Sequence, residues 1–158
     1  YIYTHMGFNL KITDMQAACG LAQIDKLEKF ITIRKENFQY LKEKLSSCEE
    51  FLHLPEATQN SDPSWFGFLM TIKEGVDFRR NELIEYLNQC RINTRFLFAG
   101  NLIKQPYMKE QQYRVIGNLE NTDFVMNNSF WVGVYPGLSK EHLDYMVEKI
   151  ETFFGLNF

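Results

Sequence analysis

Apolar residues recur at a spacing close to a heptad over the first third of the chain. Between Asp14 and about Ser46 there is no proline, and Thr13 followed by Gln16 fits a capping box at the start of this segment. We call this row of apolar residues the seam; it consists of Ile24, Leu27, Ile31, Phe38, Leu41 and Leu45. Arg34 occupies the one position of the repeat where an apolar residue is missing. This spacing predicts either two consecutive helices with a bend or one long helix that bridges two domains. We expect the C-terminal half of the seam to pack on this domain's own sheet and the N-terminal half to face another domain.

The rest of the chain predicts a small sheet interleaved with helices. Residues 47–64, which include Pro55 and Pro63, are expected to form a connecting loop. WFGFLMTI at 65–72 predicts a strand buried on both faces. The later elements are a helix near 79–90, a strand at 92–96, a short helix near 121–126, a strand at 131–135 and a last helix capped by Ser139.

This order predicts an α+β fold, in which a small, mostly antiparallel sheet is backed by helices and preceded by a long N-terminal helix. We divide the chain into an interdomain segment with the long helix at 1–46 and a small domain at 47–158.

Composition excludes several classes of protein. The 158 residues are 45% apolar and 15% aromatic, which is typical of a folded domain and excludes intrinsic disorder. With 17 Lys and Arg against 20 Asp and Glu, the chain has no basic surplus for nucleic-acid binding. No apolar run approaches the roughly 18 residues of a membrane span. Cys19, Cys48 and Cys90 lie far apart, so we expect free thiols in a reducing cytoplasm.

The residues with catalytic chemistry form no local motif. His5, His53 and His142 are too dispersed for a metal site, and His142 is expected to be exposed in the first turn of a helix. The chain has no GxSxG, P-loop or GxGxxG motif. We therefore assign no catalytic residue and no metal ligand.

The segment GFNLKITDMQAACGLAQIDKL (7–27) is the most distinctive in the chain. Small residues follow a capped helix start at Ala17, Ala18, Gly20 and Ala22. Small side chains allow another backbone to approach closely, and free amides at a helix start favour an anion such as phosphate. The segment therefore predicts close interdomain packing, with an anion site as the alternative.

This segment resembles the junction between domains in the DegT/StrS-type family of sugar-nucleotide aminotransferases. Ordinary aminotransferases of that family have Gly-x-Asn-x-Arg-Met before an acidic residue and Gln-Ala-Ala, whereas this chain has Lys11, Ile12 and Asp14. With the preceding YTHMGFN, these departures are more similar to the CDP-4-dehydro-6-deoxyglucose 3-dehydrases. TRFLFAGNLIKQPYM (94–108) and NTDFVMNNSFWVGVYPGLS (121–139) resemble the same branch.

The resemblance implies the small C-terminal domain of a type I aminotransferase fold, without the large domain that holds most of the cofactor site. In this branch pyridoxamine phosphate condenses with a 4-keto sugar, and the C-3 hydroxyl leaves. The branch also carries an iron–sulfur cluster, whose cysteines would precede Tyr1. The implied partners are a CDP-sugar, a second copy in a homodimer and a reductase, in the synthesis of 3,6-dideoxyhexoses for O-antigen.

The resemblance also implies roles for individual residues. Asn9 corresponds to the Asn that reaches the partner subunit's cofactor phosphate. Lys11 stands where the family has an Arg, and its ammonium is a point charge without the forked geometry of a guanidinium. The block that faces the sugar nucleotide contains Arg95, Asn101 and Lys104, and His5 is expected near the same cleft. From the residues alone, Arg95 could equally pair with an acid at a strand end, and Asn101 could be a turn residue.

Three functions remain open from the sequence: a sugar-nucleotide 3-dehydrase, an ordinary sugar aminotransferase, and a non-catalytic dimerisation module. A His in place of the cofactor lysine, upstream of Tyr1, would select the dehydrase. The isolated chain is expected to be inactive, because the residues that cradle the cofactor ring are missing.

Overall fold

The computed structural model describes residues 10–106, 108 and 111–156. The helices and strands are α1 (Asp14–Ile24), α2 (Leu27–Lys44), β1 (Leu52–His53), β2 (Gly67–Ile72), α3 (Arg80–Gln89), β3 (Thr94–Phe96), α4 (Glu120–Asn128), β4 (Ser129–Gly133) and α5 (Lys140–Phe153). Two short 3₁₀ helices, Leu45–Glu50 and Leu102–Lys104, follow α2 and β3. The predicted α+β class is confirmed.

The predicted long helix is divided into α1 and α2, so the interpretation as two consecutive helices is correct. The capping box at the start of α1 is present: Thr13 Oγ1 accepts the Gln16 N–H at 3.3 Å, and the Thr13 N–H donates to Gln16 Oε1 at 2.9 Å. Between the helices the Lys26 N–H bonds at 3.0 Å to the carbonyl of Gln23, three residues earlier. This tightened turn interrupts the α-helical ladder and separates the two helices.

Burial changes along the two helices as the seam predicts. Phe38, Leu41 and Leu45 are at most 4% exposed, whereas Ile24 is 61% and Leu27 is 50% exposed. α1 has no buried residue. The C-terminal half of the seam therefore packs on this domain's own core, as predicted.

The four strands form one antiparallel sheet in the order β1–β2–β4–β3. β2 and β4 pair at the centre, with Leu69 opposite Trp131. β3 pairs with β4 along one edge and places Arg95 opposite Trp131. β1 pairs with β2 along the other edge, although the sequence predicted only a loop over 47–64. A two-residue strand has too little alternation of polar and apolar residues to be recognised from sequence.

The core lies on one face of the sheet, where α2, α3 and α5 cover it. Its largest fully buried side chains are Phe68, Phe130, Leu41, Leu45, Leu52, Met70, Ile72, Leu83, Leu87, Ile150, Val132 and Val134. On β2, burial alternates: Phe68, Met70 and Ile72 are buried, while the residues between them are half-buried. The prediction that this strand is buried on both faces is wrong, because only every second side chain of the strand enters the core.

The last helix begins as the sequence predicts. Ser139 Oγ accepts the N–H of His142, and the Ser139 N–H donates to His142 Nδ1 at 3.1 Å, which completes a capping box. His142 is exposed, as expected for a residue in the first helical turn.

The three cysteines are free thiols, with Cys19 exposed, Cys48 buried and Cys90 half-buried. Burial raises the pKa of the Cys48 thiol to about 11. No helix in the described part of the chain is long and apolar enough to cross a membrane.

Candidate functional site

Two of the predicted substrate residues meet at one carboxylate. Lys104 Nζ lies 2.7 Å from Asp123 Oδ1, and Asn101 Nδ2 donates to the same oxygen at 2.8 Å. These two donors hold the pKa of the Asp123 carboxyl below its ordinary value. Asp123 belongs to the block 121–139, which also carried the resemblance. Its contact with Lys104 was not predicted, because the two residues lie in different blocks of the sequence.

Asn101 is buried, and both its amide nitrogen and its amide oxygen are hydrogen-bonded within the chain. It is 2% exposed, and its Oδ1 accepts the Ile103 N–H at 3.2 Å, which caps the 3₁₀ helix at 102–104. Its backbone N–H donates to the sulfur of Met126. The side chain thus behaves as the turn residue that the sequence allowed, and it holds Asp123 in place.

The loop that carries Lys104 is fastened to α4 at Gly100. This glycine has φ +63, and a Cβ there would lie 2.4 Å from Met126 Cγ, so a side chain would collide with α4. Gln105 Nε2 donates to the Ala99 carbonyl at 2.7 Å and closes the loop on itself. These contacts fix the position of Lys104, whose side chain remains 49% exposed.

Arg95, the third candidate, lies on β3 with its guanidinium unpaired. The Nη1 atom donates to the carbonyl of Thr94 at 3.0 Å, and no carboxylate within the described ranges forms an ion pair with it. The alternative in which Arg95 pairs with an acid is therefore absent from the part of the chain that the structure describes. Its side chain lines a cavity of about 400 Å³, apart from the Lys104 cluster.

An exposed aromatic surface lies beside the loop, and the sequence did not predict it. Phe98 is 79% and Phe66 is 68% exposed, with their ring centroids 6.5 Å apart. Phe66 also contacts Trp131 at 4.9 Å, and Trp131 Nε1 donates to the Phe96 carbonyl. Phe98 has φ +42, a backbone conformation that is unfavourable for an aromatic residue. Such a flat apolar surface suits a sugar ring or a nucleobase.

The two predicted cofactor residues lie at the start of the chain. Lys11 is exposed and precedes the capped N-terminus of α1 by two residues. Asn9 and the substrate candidate His5 lie outside the described residues. The small residues that follow the helix start, from Ala17 to Ala22, are exposed together with Leu21 and Met15. No cluster of three His, Cys, Asp or Glu side chains suited to a metal ion is present where the structure is described.

Comparison with known proteins identifies the family. A model of the DegT/DnrJ/EryC1/StrS aminotransferase family matches residues 1–151. The chain belongs to this family. The predicted resemblance to this family is thereby confirmed.

Among its relatives is the lipopolysaccharide biosynthesis protein RfbH of Salmonella typhimurium, which is 62% identical over all 158 residues. The dTDP-4-dehydro-2,6-dideoxy-D-glucose 3-dehydratase of Saccharopolyspora spinosa is 44% identical over 97% of the chain. The chain covers 36% of the first relative and 33% of the second, so it spans about a third of their length.

Solved structures of the family have the same fold. The E. coli GDP-4-keto-6-deoxy-D-mannose-3-dehydratase with bound hydrated PLP superposes with a TM-score of 0.83 at 29% identity. The match covers 94% of this chain and 38% of that one. The α+β domain is therefore part of a PLP-dependent aminotransferase fold.

Proposed function

We propose that the protein containing this chain is a pyridoxamine-phosphate-dependent sugar-nucleotide 3-dehydrase, and that this chain is its C-terminal domain. The reaction is the C-3 deoxygenation of a CDP-4-keto-6-deoxyhexose in 3,6-dideoxyhexose and O-antigen synthesis. The observation that carries the proposal is the similarity, along nearly the whole chain, to a lipopolysaccharide biosynthesis protein and to a named 3-dehydratase.

Asn9 and Lys11 are the residues that we assign to the cofactor phosphate. Lys11 is exposed, and its ammonium group has no ion-pair partner in the described part of the chain. The capped N-terminus of α1 follows it and adds the positive end of a helix dipole. A free ammonium group beside this helix start fits a dianionic phosphate. When bound, the cofactor supplies an amine for the C-4 keto carbon and a ring that accepts electrons from the sugar.

Lys104, Arg95 and His5 are the residues that we assign to the sugar nucleotide. The half-exposed ammonium of Lys104 offers charge to a diphosphate while Asp123 fixes its position. The guanidinium of Arg95 is free for an anion, and Phe98 beside the loop offers a flat surface to the sugar or the base. We assign Asn101 a positioning role, because its amide holds Asp123 and so orients Lys104.

The remaining partners are proposed from the resemblance. They are CDP as the nucleotide, a homodimer, a reductase and a cytoplasmic location. An iron–sulfur cluster would be held by residues outside this chain. The exposed apolar residues of α1 and of the segment just before it support a partner surface at this end of the chain, because five large apolar side chains there are more than half exposed: Leu10, Ile12, Met15, Leu21 and Ile24.

The decisive experiment incubates the full-length protein with pyridoxamine phosphate, CDP-4-keto-6-deoxyglucose and a reductant. The reductant is included because replacement of a C–O bond by a C–H bond consumes two electrons. We expect mass spectrometry to detect a product that has lost the C-3 oxygen and keeps the C-4 keto group. A product with a C-4 amine and the C-3 oxygen would identify an aminotransferase, and no product would favour a non-catalytic module.

Lys104→Met tests the role of this domain in the same assay. Loss of a charged hydrogen-bond donor to the substrate should raise KM about tenfold or more. Lys29→Met is the matched control, because Lys29 is exposed on α2 and has no ion pair in the described ranges. Equal KM values for the two variants would remove Lys104 from the site.

A further inference from the structure

A cavity of about 400 Å³ opens at the edge of the sheet where β3 and β4 separate. Their pairing begins at Thr94 and Val132, and the flanking segments 91–93 and 133–135 diverge to form its walls. The N-terminal part of α5 contributes the third wall. The cavity lies at the start of β3, whereas Phe98 and the loop with Lys104 follow the other end of that strand.

The cavity is lined by cationic and aromatic side chains and by no carboxylate. Its polar and aromatic lining includes Arg91, Arg95, Trp131, Tyr135, His142 and Tyr145. Neither arginine forms an ion pair within the described ranges. With no carboxylate among the lining residues, the charges of the two guanidinium groups are available to an anion in the cavity.

Arg91 occupies a backbone position where glycine is the favoured residue. The Arg91 N–H bonds to the Asn88 carbonyl and the Ile92 N–H bonds to the Leu87 carbonyl, both at 2.9 Å, which is the Schellman pattern that ends α3. Arg91 has φ 60, in the left-handed region. Its guanidinium has no hydrogen-bond partner among the described side chains and carbonyls. Arg91 therefore places an unpaired charge on the cavity wall at a position whose backbone favours glycine.

The remaining walls suit an aromatic ligand with a phosphate. His142 Nδ1 accepts the Ser139 N–H, so in the neutral ring the proton is on Nε2, which is then a donor. Trp131, Tyr135 and the apolar Ile92 also line the cavity, and such aromatic side chains suit a base. The volume falls within the range of about 300–1,000 Å³ that is usual for small-ligand sites.

We propose that this cavity binds a nucleoside diphosphate, with its phosphates at Arg91 and Arg95 and its base against the aromatic walls. The residues that line this cavity do not include Lys104 or Phe98, and its occupancy does not require the proposed reaction. Arg95 is the one residue common to the two assignments, so the test depends on Arg91.

The test is calorimetric titration of the full-length protein with CDP. Arg91→Gly should weaken one class of CDP sites by about tenfold or more, because charged hydrogen bonds are lost. The same variant should have an equal or higher melting temperature, since glycine suits a left-handed backbone. Arg114→Gly is the matched control, because Arg114 is exposed and lies outside the cavity, and its CDP binding should not change.

Lys104→Met distinguishes this proposal from the proposed function. If both are correct, the protein has two classes of CDP sites, of which Arg91→Gly weakens one and Lys104→Met weakens the other. If only the cavity binds CDP, Arg91→Gly weakens all of the binding about tenfold or more. Unchanged binding in Arg91→Gly would overturn the cavity proposal, and so would inorganic phosphate that binds there as tightly as CDP.

Discussion

At the residue scale, Asn101 joins the loop after β3 to α4 through a single buried amide. Its Nδ2 donates to Asp123 and its Oδ1 accepts the Ile103 N–H. Asn101→Ala should lower the free energy of unfolding by about 1–3 kcal/mol, because the half-buried Asp123 carboxylate and Ile103 N–H each lose a hydrogen bond. Urea unfolding measures the loss. Asn93→Ala, at an exposed position just before β3, serves as control and should change stability little. Similar losses in both variants would contradict the positioning role.

Asn9 carries the prediction that is most specific to the cofactor. If its amide contacts the partner subunit's cofactor phosphate, Asn9→Ala removes a hydrogen bond to a charged group, worth about 1.5–3 kcal/mol. Cofactor affinity in the full-length protein should therefore fall about 10- to 150-fold.

The apo protein provides the control for Asn9. Its melting temperature should barely change in Asn9→Ala if the amide serves the phosphate. A residue that only stabilises a local turn would give the reverse result, with a lower apo melting temperature and nearly normal cofactor affinity.

The site residues differ in how far the sequence determines them. Lys104 and Arg95 were both assigned to the substrate from a single sequence block, 94–108, through its resemblance to the family. The sequence could not predict that Lys104 forms an ion pair with Asp123, or that Arg95 forms none with the described residues. Both depend on where α4 and β4 pack. Arg91 was missed for a similar reason: its left-handed backbone is set by the Schellman turn, for which the sequence signal is glycine.

At the element scale, the two N-terminal helices should differ sharply in what they contribute to stability. Leu41 on α2 is fully buried, whereas Met15 on α1 is 79% exposed. In the 158-residue chain, Leu41→Ala should cost about 2–5 kcal/mol, as for a core leucine. Met15→Ala should cost less than about 0.5 kcal/mol, as at other exposed positions. Chemical denaturation of both variants measures the difference, and equal losses would indicate that α1 also packs on this core.

The strands were predicted less completely than the helices. A helix of ten or more residues repeats its apolar face several times, which is why α3 and α5 were located within a few residues of their bounds. β1 has two residues and no repeat. For β2 the aromatic and β-branched composition predicted a strand correctly, but composition does not specify whether the second face is covered.

At the scale of the whole molecule, three carboxylates connect stability to pH. Ion pairs and hydrogen bonds lower the pKa of Asp123 through Lys104, of Glu141 through Ser139, and of Asp144 through Lys140. A carboxyl whose pKa is lower in the folded state stabilises the fold above its unfolded pKa, about 3.9 for Asp and 4.3 for Glu. That stability is lost as the pH falls through the folded pKa.

Stability should therefore be level from neutral pH to about pH 5 and should decline below about pH 4. Urea midpoints between pH 2 and pH 7 measure this decline. Asp123→Asn should make the acid decline shallower, while Asp62→Asn, at an exposed residue whose ion pair with Lys35 is largely solvated, should change it less. An unchanged acid decline in Asp123→Asn would contradict the contribution of this carboxylate.

The sequence by itself determined the fold class, the helix caps at Thr13 and Ser139, the buried half of the seam and the family. These features are set by local periodicity, by capping chemistry between neighbouring residues and by contiguous motifs, all of which can be found along the chain. Tertiary structure alone decided that Lys104 and Asn101 share the Asp123 carboxylate and that Arg91 and Arg95 line one cavity. Such contacts join residues from separate elements, and their distances are fixed only when the helices and strands pack together.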